Sequence, residues 1–404
     1  MKVAISHPFG NPHVYNAALA LFERNILSEY HTCLFGPLGS KYRRFAKLRG
    51  AAIRAHPLRE VVRLGLCLFG PGLLSGRRQP WIDWVARGLD KAVARELNAG
   101  VQAVYCYEDT AVATFEEAKQ KGVRTFYELT SGYQDEAKAV AAQEVMQDPS
   151  LSRFCPSLDE REEKQVRKRR EVLLADHIIC ASSYSMSTLK KYMEVAGKVS
   201  VLPYGCDCDC AVRNWSRLDH AGPLKLLFVG RLAPMKGLHY LFGALEKFRP
   251  GSFELTLAGR WAPGFRDWLL RRYRVQFRET GHVSRVAVIE LMRQNHLLVF
   301  PSLFEGFGLV MLEAMSVGLP VLATERTGAP DIIRDGQEGF LASAASREDI
   351  ARVLSRVLDD RKQLADMGAA ARNQAISQSW EQYRRRLYVL VASHLGLATL
   401  EESH

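Results

Sequence analysis

No apolar run in these 404 residues is long enough to cross a bilayer as a helix. The longest, Val61 to Leu74, is interrupted by Arg63 and Pro71, whereas a span takes about 20 apolar residues. No export leader is legible in the first residues, so the expectation is a cytoplasmic protein, at most peripheral on the inner face of a membrane. The eight cysteines include no Cys-x-x-Cys pair, which removes the usual structural zinc knuckles. Without an export signal they are expected as reduced thiols. Three of them crowd into Cys206-Asp207-Cys208-Asp209-Cys210, which reads as a linker and not as a metal site. Short internal repeats and low-complexity tracts are also missing, which excludes repeat architectures. Acid is scarce in one place above all: between Lys41 and Pro80, ten Lys or Arg stand against the single acid Glu60.

What is present points to two domains. The length exceeds the roughly 250–300 residues at which one core stops growing, and 47% of the residues are hydrophobic. Lys2 to Ser6, Val101 to Tyr107, Val123 to Leu129, Asp176 to Ala181 and Val199 to Leu202 read as buried strands of a first domain. Leu224 to Val229, Phe253 to Ala258, Leu297 to Phe300 and Pro320 to Ala323 repeat the pattern in a second. Strands alternating with amphipathic helical stretches argue for α/β architecture with two doubly wound, Rossmann-like parallel sheets. The expected boundaries are 1–205, 206–378 and a terminal segment, 379–404.

The densest chemistry lies in Glu305-Gly306-Phe307-Gly308-Leu309-Val310-Met311-Leu312-Glu313. A strand ends just before it, the glycines let the backbone approach a ligand closely, and a helix opening there presents unpaired amides to an anion. One carboxylate on the loop and one about two turns into the helix suit a sugar joined to a nucleotide. Upstream, the strand Leu224 to Val229 is followed by Gly230-Arg231-Leu232-Ala233-Pro234-Met235-Lys236-Gly237. Arg231 offers a planar fork and Lys236 a point charge, together able to neutralise a diphosphate.

These stretches, with Ala314-Met315-Ser316-Val317-Gly318-Leu319-Pro320 and Thr327-Gly328-Ala329-Pro330-Asp331, resemble the retaining nucleotide-sugar glycosyltransferases of the GT-B fold, family four. The resemblance implies two domains facing a cleft and a C-terminal helix crossing back onto the first. It implies that Arg231 and Lys236 hold the donor diphosphate and that Glu305 contacts the donor sugar. The backbone of Gly306, Phe307, Gly308 and Leu309 would cradle sugar and phosphate, and Glu313 would bind ribose. No metal or other cofactor is expected, since Asp207 and Asp209 lie in the linker and follow no suitable strand. A silent nucleotide-sugar binding subunit, and a phosphorylase or hydrolase of the same fold, are the rival expectations.

The first domain departs from the family, many of whose members carry a histidine after a first-domain strand. Tyr127-Glu128-Leu129-Thr130-Ser131-Gly132-Tyr133 stands there instead, which makes Glu128 a candidate catalytic residue and, equally, a candidate structural carboxylate. In His7-Pro8-Phe9-Gly10-Asn11-Pro12-His13, Gly10 is a candidate for backbone approach to the donor phosphate, and His13 a weaker candidate. Asp109 or Thr110 is expected to cap the helix that follows. Expected partners are a nucleotide sugar, a glycan or lipid-linked acceptor and, through the basic segment 41–80, an anionic membrane surface. Nucleic acid is excluded for want of a reader motif.

Overall fold

The computed structural model describes residues 1–34, 47–48, 50–69, 78–215 and 222–397. The first domain runs β1 (Val3–Ser6), α1 (Pro12–Glu23), β2 (Leu27–Thr32), β3 (Ala52–Ala55), α2 (Leu58–Phe69), α3 (Arg78–Glu96), β4 (Ala103–Tyr107), α4 (Val112–Gln120), β5 (Arg124–Leu129), α5 (Gln134–Gln147), α6 (Glu162–Leu174), β6 (His177–Cys180), α7 (Ser183–Tyr192) and β7 (Val199–Val201). The second runs β8 (Leu224–Val229), α8 (Leu238–Leu245), β9 (Phe253–Ala258), α9 (Phe265–Arg272), β10 (Phe277–Gly281), α10 (Arg285–Gln294), β11 (Leu297–Phe300), α11 (Leu309–Ser316), β12 (Val321–Thr324), β13 (Gly339–Ala342), α12 (Arg347–Asp359) and α13 (Gln363–Ser377), before α14 (Trp380–His394).

The sheet orders are β3-β2-β1-β4-β5-β6-β7 and β10-β9-β8-β11-β12-β13, and neighbouring strands pair in parallel. Each chain path moves outward from its first strand, returns, and moves outward the other way. This leaves one switch point between β1 and β4 and another between β8 and β11. Ligands in such sheets bind beyond the strand carboxyl ends at the switch point. The strands beside the switch points, β4 and β11, are wholly buried, as their apolar runs require: β4 reads Ala-Val-Tyr-Cys-Tyr and β11 Leu-Leu-Val-Phe. Four strands lie outside the sequence expectation. β3 and β10 are sheet edges, β2 neighbours an edge, and β13 closes the far end; β2 (Leu-Ser-Glu-Tyr-His-Thr) and β10 (Phe-Arg-Glu-Thr-Gly) are polar enough to hide the pattern.

The chain crosses between domains twice, and the crossings pair with each other. Cys206 bridges Ser379, with Cys206 N donating to Gln378 O at 3.1 Å and Trp380 N to Cys206 O at 3.1 Å. A Cβ on Gly205 would lie 2.6 Å from Trp380 N, so only glycine allows this approach. Ser379 caps α14 through Gln382 N, and the helix packs back on α1, where Arg384 bonds Asn16 and Glu23. The expected crossing-back helix is therefore present. Residues 134–159, by contrast, lean on the second domain: Glu144 in α5 accepts from Tyr240 at 2.9 Å and contacts His239 at 2.8 Å, while Phe154 packs edge-on against Phe265.

Candidate active site

The switch point of the second sheet gathers the two motifs. After β8, Gly230 and Gly259 press together so closely that a Cβ on Gly259 would sit 1.7 Å from Gly230 O. Arg231 leaves this turn exposed. A single 3-10 turn, Pro234–Lys236, then ends at Gly237 with φ +70°, beside Pro301 O at the end of β11. That contact brings Lys236 across to the neighbouring loop, where its ammonium pairs with Glu305. Leu303 N completes the clasp by donating to Met235 O at 3.0 Å.

Beyond Glu305 the chain enters α11 through Gly308, whose φ of +91° no side chain favours. α11 has no side-chain N-cap, so its first amides face outward as an anion site. A cavity of about 620 Å³ opens in front of them, walled by Arg231, Lys236, Glu305, Gly308, Leu309 and Glu313 and, from the first domain, by Pro12, Tyr15 and Asn16 on α1. Glu313 pairs with Arg285 Nε at 3.1 Å, and the same guanidinium reaches Asp207 at 2.7 Å. Arg285 also lines the cavity, and sequence reading missed it. The available signal was Ser284, which caps α10 and so aims the first turn at this cleft.

Several expected site residues sit elsewhere. Glu128 is fully buried, accepting from Tyr105 at 2.5 Å and Tyr204 at 2.7 Å. Burial raises its carboxyl to about 7, although the tyrosine hydroxyls pull the other way. It lies inside the first domain and is not among the residues that line the donor cavity. Gly10 does not line the cavity; the chain turns away before Pro12, the first residue that does. Gly306 and Phe307 are buried between domains. Gly306 O accepts from Ser182 Oγ at 2.5 Å and Ser185 Oγ at 2.9 Å, and Phe307 packs against Tyr204. The backbone cradle therefore narrows to Gly308 and Leu309.

His13 lies stacked on Tyr204 and is held neutral by burial, its pKa lowered to about 3. Asp109 and Thr110 do not cap α4. Asp90 accepts from the amides of Ala113 and Thr114, both at 2.9 Å, while Asp109 pairs with Arg167 and Lys164. Cys206 and Cys208 are free thiols with sulfurs 3.6 Å apart. Within the basic segment, Lys41, Arg43, Arg44, Arg49 and Arg77 lie outside the described residues.

Residues 216–374 match the family model described as glycosyl transferases group 1. That match covers most of the second domain. Among curated proteins, the glycogen synthase of Mycobacterium tuberculosis is 30% identical over 216 residues, 50% of each chain. A D-inositol 3-phosphate glycosyltransferase of Pseudarthrobacter chlorophenolicus is 30% identical over 234 residues, 54% of this chain and 56% of that one. The chain thus spans about half the length of the curated relatives it matches. Similarity to solved structures extends over both domains. The sucrose-phosphate synthase of Thermosynechococcus elongatus has a TM-score of 0.69 at 18% identity, covering 98% of this chain and 99% of that one. Anabaena Alr3699/HepE, solved with UDP and glucose, has a TM-score of 0.66 at 17% identity, covering 97% and 100%. The architecture is GT-B: two Rossmann-like α/β domains with seven- and six-stranded parallel sheets.

Proposed function

We propose that this protein transfers a hexosyl unit from a UDP- or GDP-sugar to an acceptor hydroxyl, with retention at the sugar carbon, in glycan, polysaccharide or glycolipid synthesis. One observation carries the reading: Arg231, Lys236 and the open amides of α11 share a cavity wall with Glu313, the arrangement a nucleoside diphosphate needs. Charge grows on the diphosphate as its bond to the sugar breaks, and fixed cations and dipoles aimed at that charge are the main source of rate acceleration in such a transfer. Arg231, for which no carboxylate partner occurs among the described residues, is free to take the β-phosphate. Glu305 orients Lys236 through their ion pair and accepts from sugar hydroxyls. Glu313 exchanges Arg285 for ribose. Protein cations fill the role of a metal in this scheme, so the transfer is proposed to be metal-independent.

The acceptor enters from the α1 side, and the protein is cytoplasmic with its basic first-domain edge on an anionic membrane. UDP is the first nucleotide to try, because Anabaena Alr3699/HepE was solved with UDP-glucose. Calorimetric titration with UDP and GDP, with and without chelator, tests the site. Tight binding of one nucleotide that survives chelation and weakens about tenfold or more in Glu313→Ala, roughly 1.4 kcal/mol, supports it. Failure of both nucleotides to bind would sink the donor-site reading. Sugar transfer against hydrolysis, followed on the same protein, separates a transferase from a hydrolase or a silent binder.

A further inference from the structure

His31 near the end of β2, His56 just past β3 and Glu96 closing α3 come together at the edge of the first domain, on three elements far apart in sequence. None of them lines the donor cavity. His31 Nδ1 and His56 Nε2 face each other at 3.2 Å. Glu96 supplies one carboxylate oxygen 3.9 Å from His31 Nδ1 and another 3.8 Å from His56 Nδ1. We propose that these three side chains form a binding site for a divalent transition metal of the zinc class, structural in role, with Glu29 as the carboxylate behind it.

The histidine separation suits a metal as well as a hydrogen-bonded pair, and the carboxylate of Glu96 is what distinguishes the two. Zinc–nitrogen bonds of about 2.0–2.1 Å at a tetrahedral angle set two imidazole nitrogens roughly 3.3–3.4 Å apart, close to the separation seen. Ligating histidines regularly donate their other ring nitrogen to a carboxylate, which fixes the tautomer and sharpens the lone pair. His31 has that partner: its Nε2 lies 3.1 Å from Glu29 Oε2, which assigns the proton to Nε2 and leaves the Nδ1 lone pair aimed at His56. Glu29 is itself held in place by Arg54 at 3.1 Å. His31 is only 2% exposed, so its ring is held in one orientation by its surroundings.

Glu96, 46% exposed, offers a ligand atom within 4.8 Å of those of both histidines, and its open side gives an entry path and room for a water as fourth ligand. Two imidazoles and one carboxylate favour zinc, cobalt, nickel or copper over the oxygen-seeking magnesium and calcium. Bound metal would tie β2, the edge strand β3 and α3 together.

The test uses the full chain stripped with chelator and dialysed, titrated with Zn²⁺ by calorimetry and with Co²⁺ by visible absorption. One equivalent binding at about 1 μM or tighter, with the intense d–d bands of tetrahedral cobalt, is expected. His56→Ala and Glu96→Gln should each weaken binding at least tenfold, and Glu29→Gln by about 10–100-fold through loss of the histidine's orienting partner. Circular dichroism and nucleotide binding, unchanged in the same variants, exclude misfolding. Absence of binding overturns the proposal. So does binding that persists in His56→Ala with thiolate-to-cobalt charge transfer and disappears in Cys208→Ser, which would place the metal on Cys206 and its neighbours.

Discussion

Glu128 shows how far a single residue's identity can mislead and how its surroundings correct it. A carboxylate at a strand end suggests an active site, but here three tyrosines and the domain interior enclose it, and its carboxyl is raised from 4.5 to about 7 by burial. The folded chain therefore holds a proton over a window in which the unfolded chain has lost it. Stability must fall as pH rises from about 4.5 through about 7, because there the folded state binds more protons than the unfolded one. The whole effect is about 3 kcal/mol at 1.36 kcal/mol per unit. Glu128→Gln cannot ionise and should not show this fall. Denaturant midpoints of the two proteins compared at pH 5 and pH 8 should converge or cross toward the variant at high pH. Turnover at neutral pH should stay within a few-fold of the parent; a collapse of turnover without loss of stability would return Glu128 to the mechanism.

At the scale of elements, the loop from Phe304 to Gly308 does two jobs that its sequence does not separate. Glu305 and Gly308 face the donor cavity, whereas Gly306 and Phe307 press into the first domain. A Cβ on Gly306 would lie 2.1 Å from Thr130 O and 2.6 Å from Ser131 Cα, and one on Gly132 would meet the Phe304 ring at 2.5 Å. The glycine-rich loop is thus partly a ligand cradle and partly a domain contact. Gly306→Ala has to push backbone from backbone, since no flexible side chain can give way. It should lower kcat/KM by about 10² through misplacement near 1 Å and enlarge the radius of gyration in X-ray scattering, with the thermal transition nearly kept. Unchanged scattering and turnover would show that the contact is incidental.

The same scale explains what was legible. β8, β9 and β11 have bounds readable to the residue: β11 is a continuous apolar run buried on both faces, while β8 and β9 carry only one or two polar residues within runs of leucine and phenylalanine. The cap of α4 was not legible, since Asp90, which supplies it, lies more than 20 residues upstream. Arg285 was missed for a related reason. An arginine in the first turn of a helix looks like surface charge until folding sets it beside Glu313 and Asp207.

Across the whole molecule, the second domain's cavity-lining residues Arg231, Lys236, Glu305 and Glu313 were legible in its motifs, while the first domain's share was not, because its contacts join residues such as Glu144 and His239 that are 95 positions apart. The helix α2 bears on the membrane reading. α2 shows Leu58, Val61 and Val62 to solvent, 77%, 55% and 41% exposed, at the helical spacing of one face. Arg54 stands nearby with 57% of its side chain exposed. No described helix is long and apolar enough to cross a membrane; on the proposed membrane reading, this face would lie at the surface with its apolar stripe at the headgroup boundary and its cations on anionic lipid. Each basic residue near such a surface contributes about 1 kcal/mol, screened by salt. The full chain should sediment with vesicles containing phosphatidylserine at low ionic strength and release as salt rises. Leu58→Asp with Val61→Asp should weaken that binding at least tenfold while nucleotide affinity is untouched, the donor cavity lying elsewhere. Equal binding to neutral vesicles would make the attraction purely apolar and leave the basic segment without this role. No binding even at low salt would remove the membrane from the proposal and leave a freely diffusing enzyme whose basic edge meets an anionic acceptor directly.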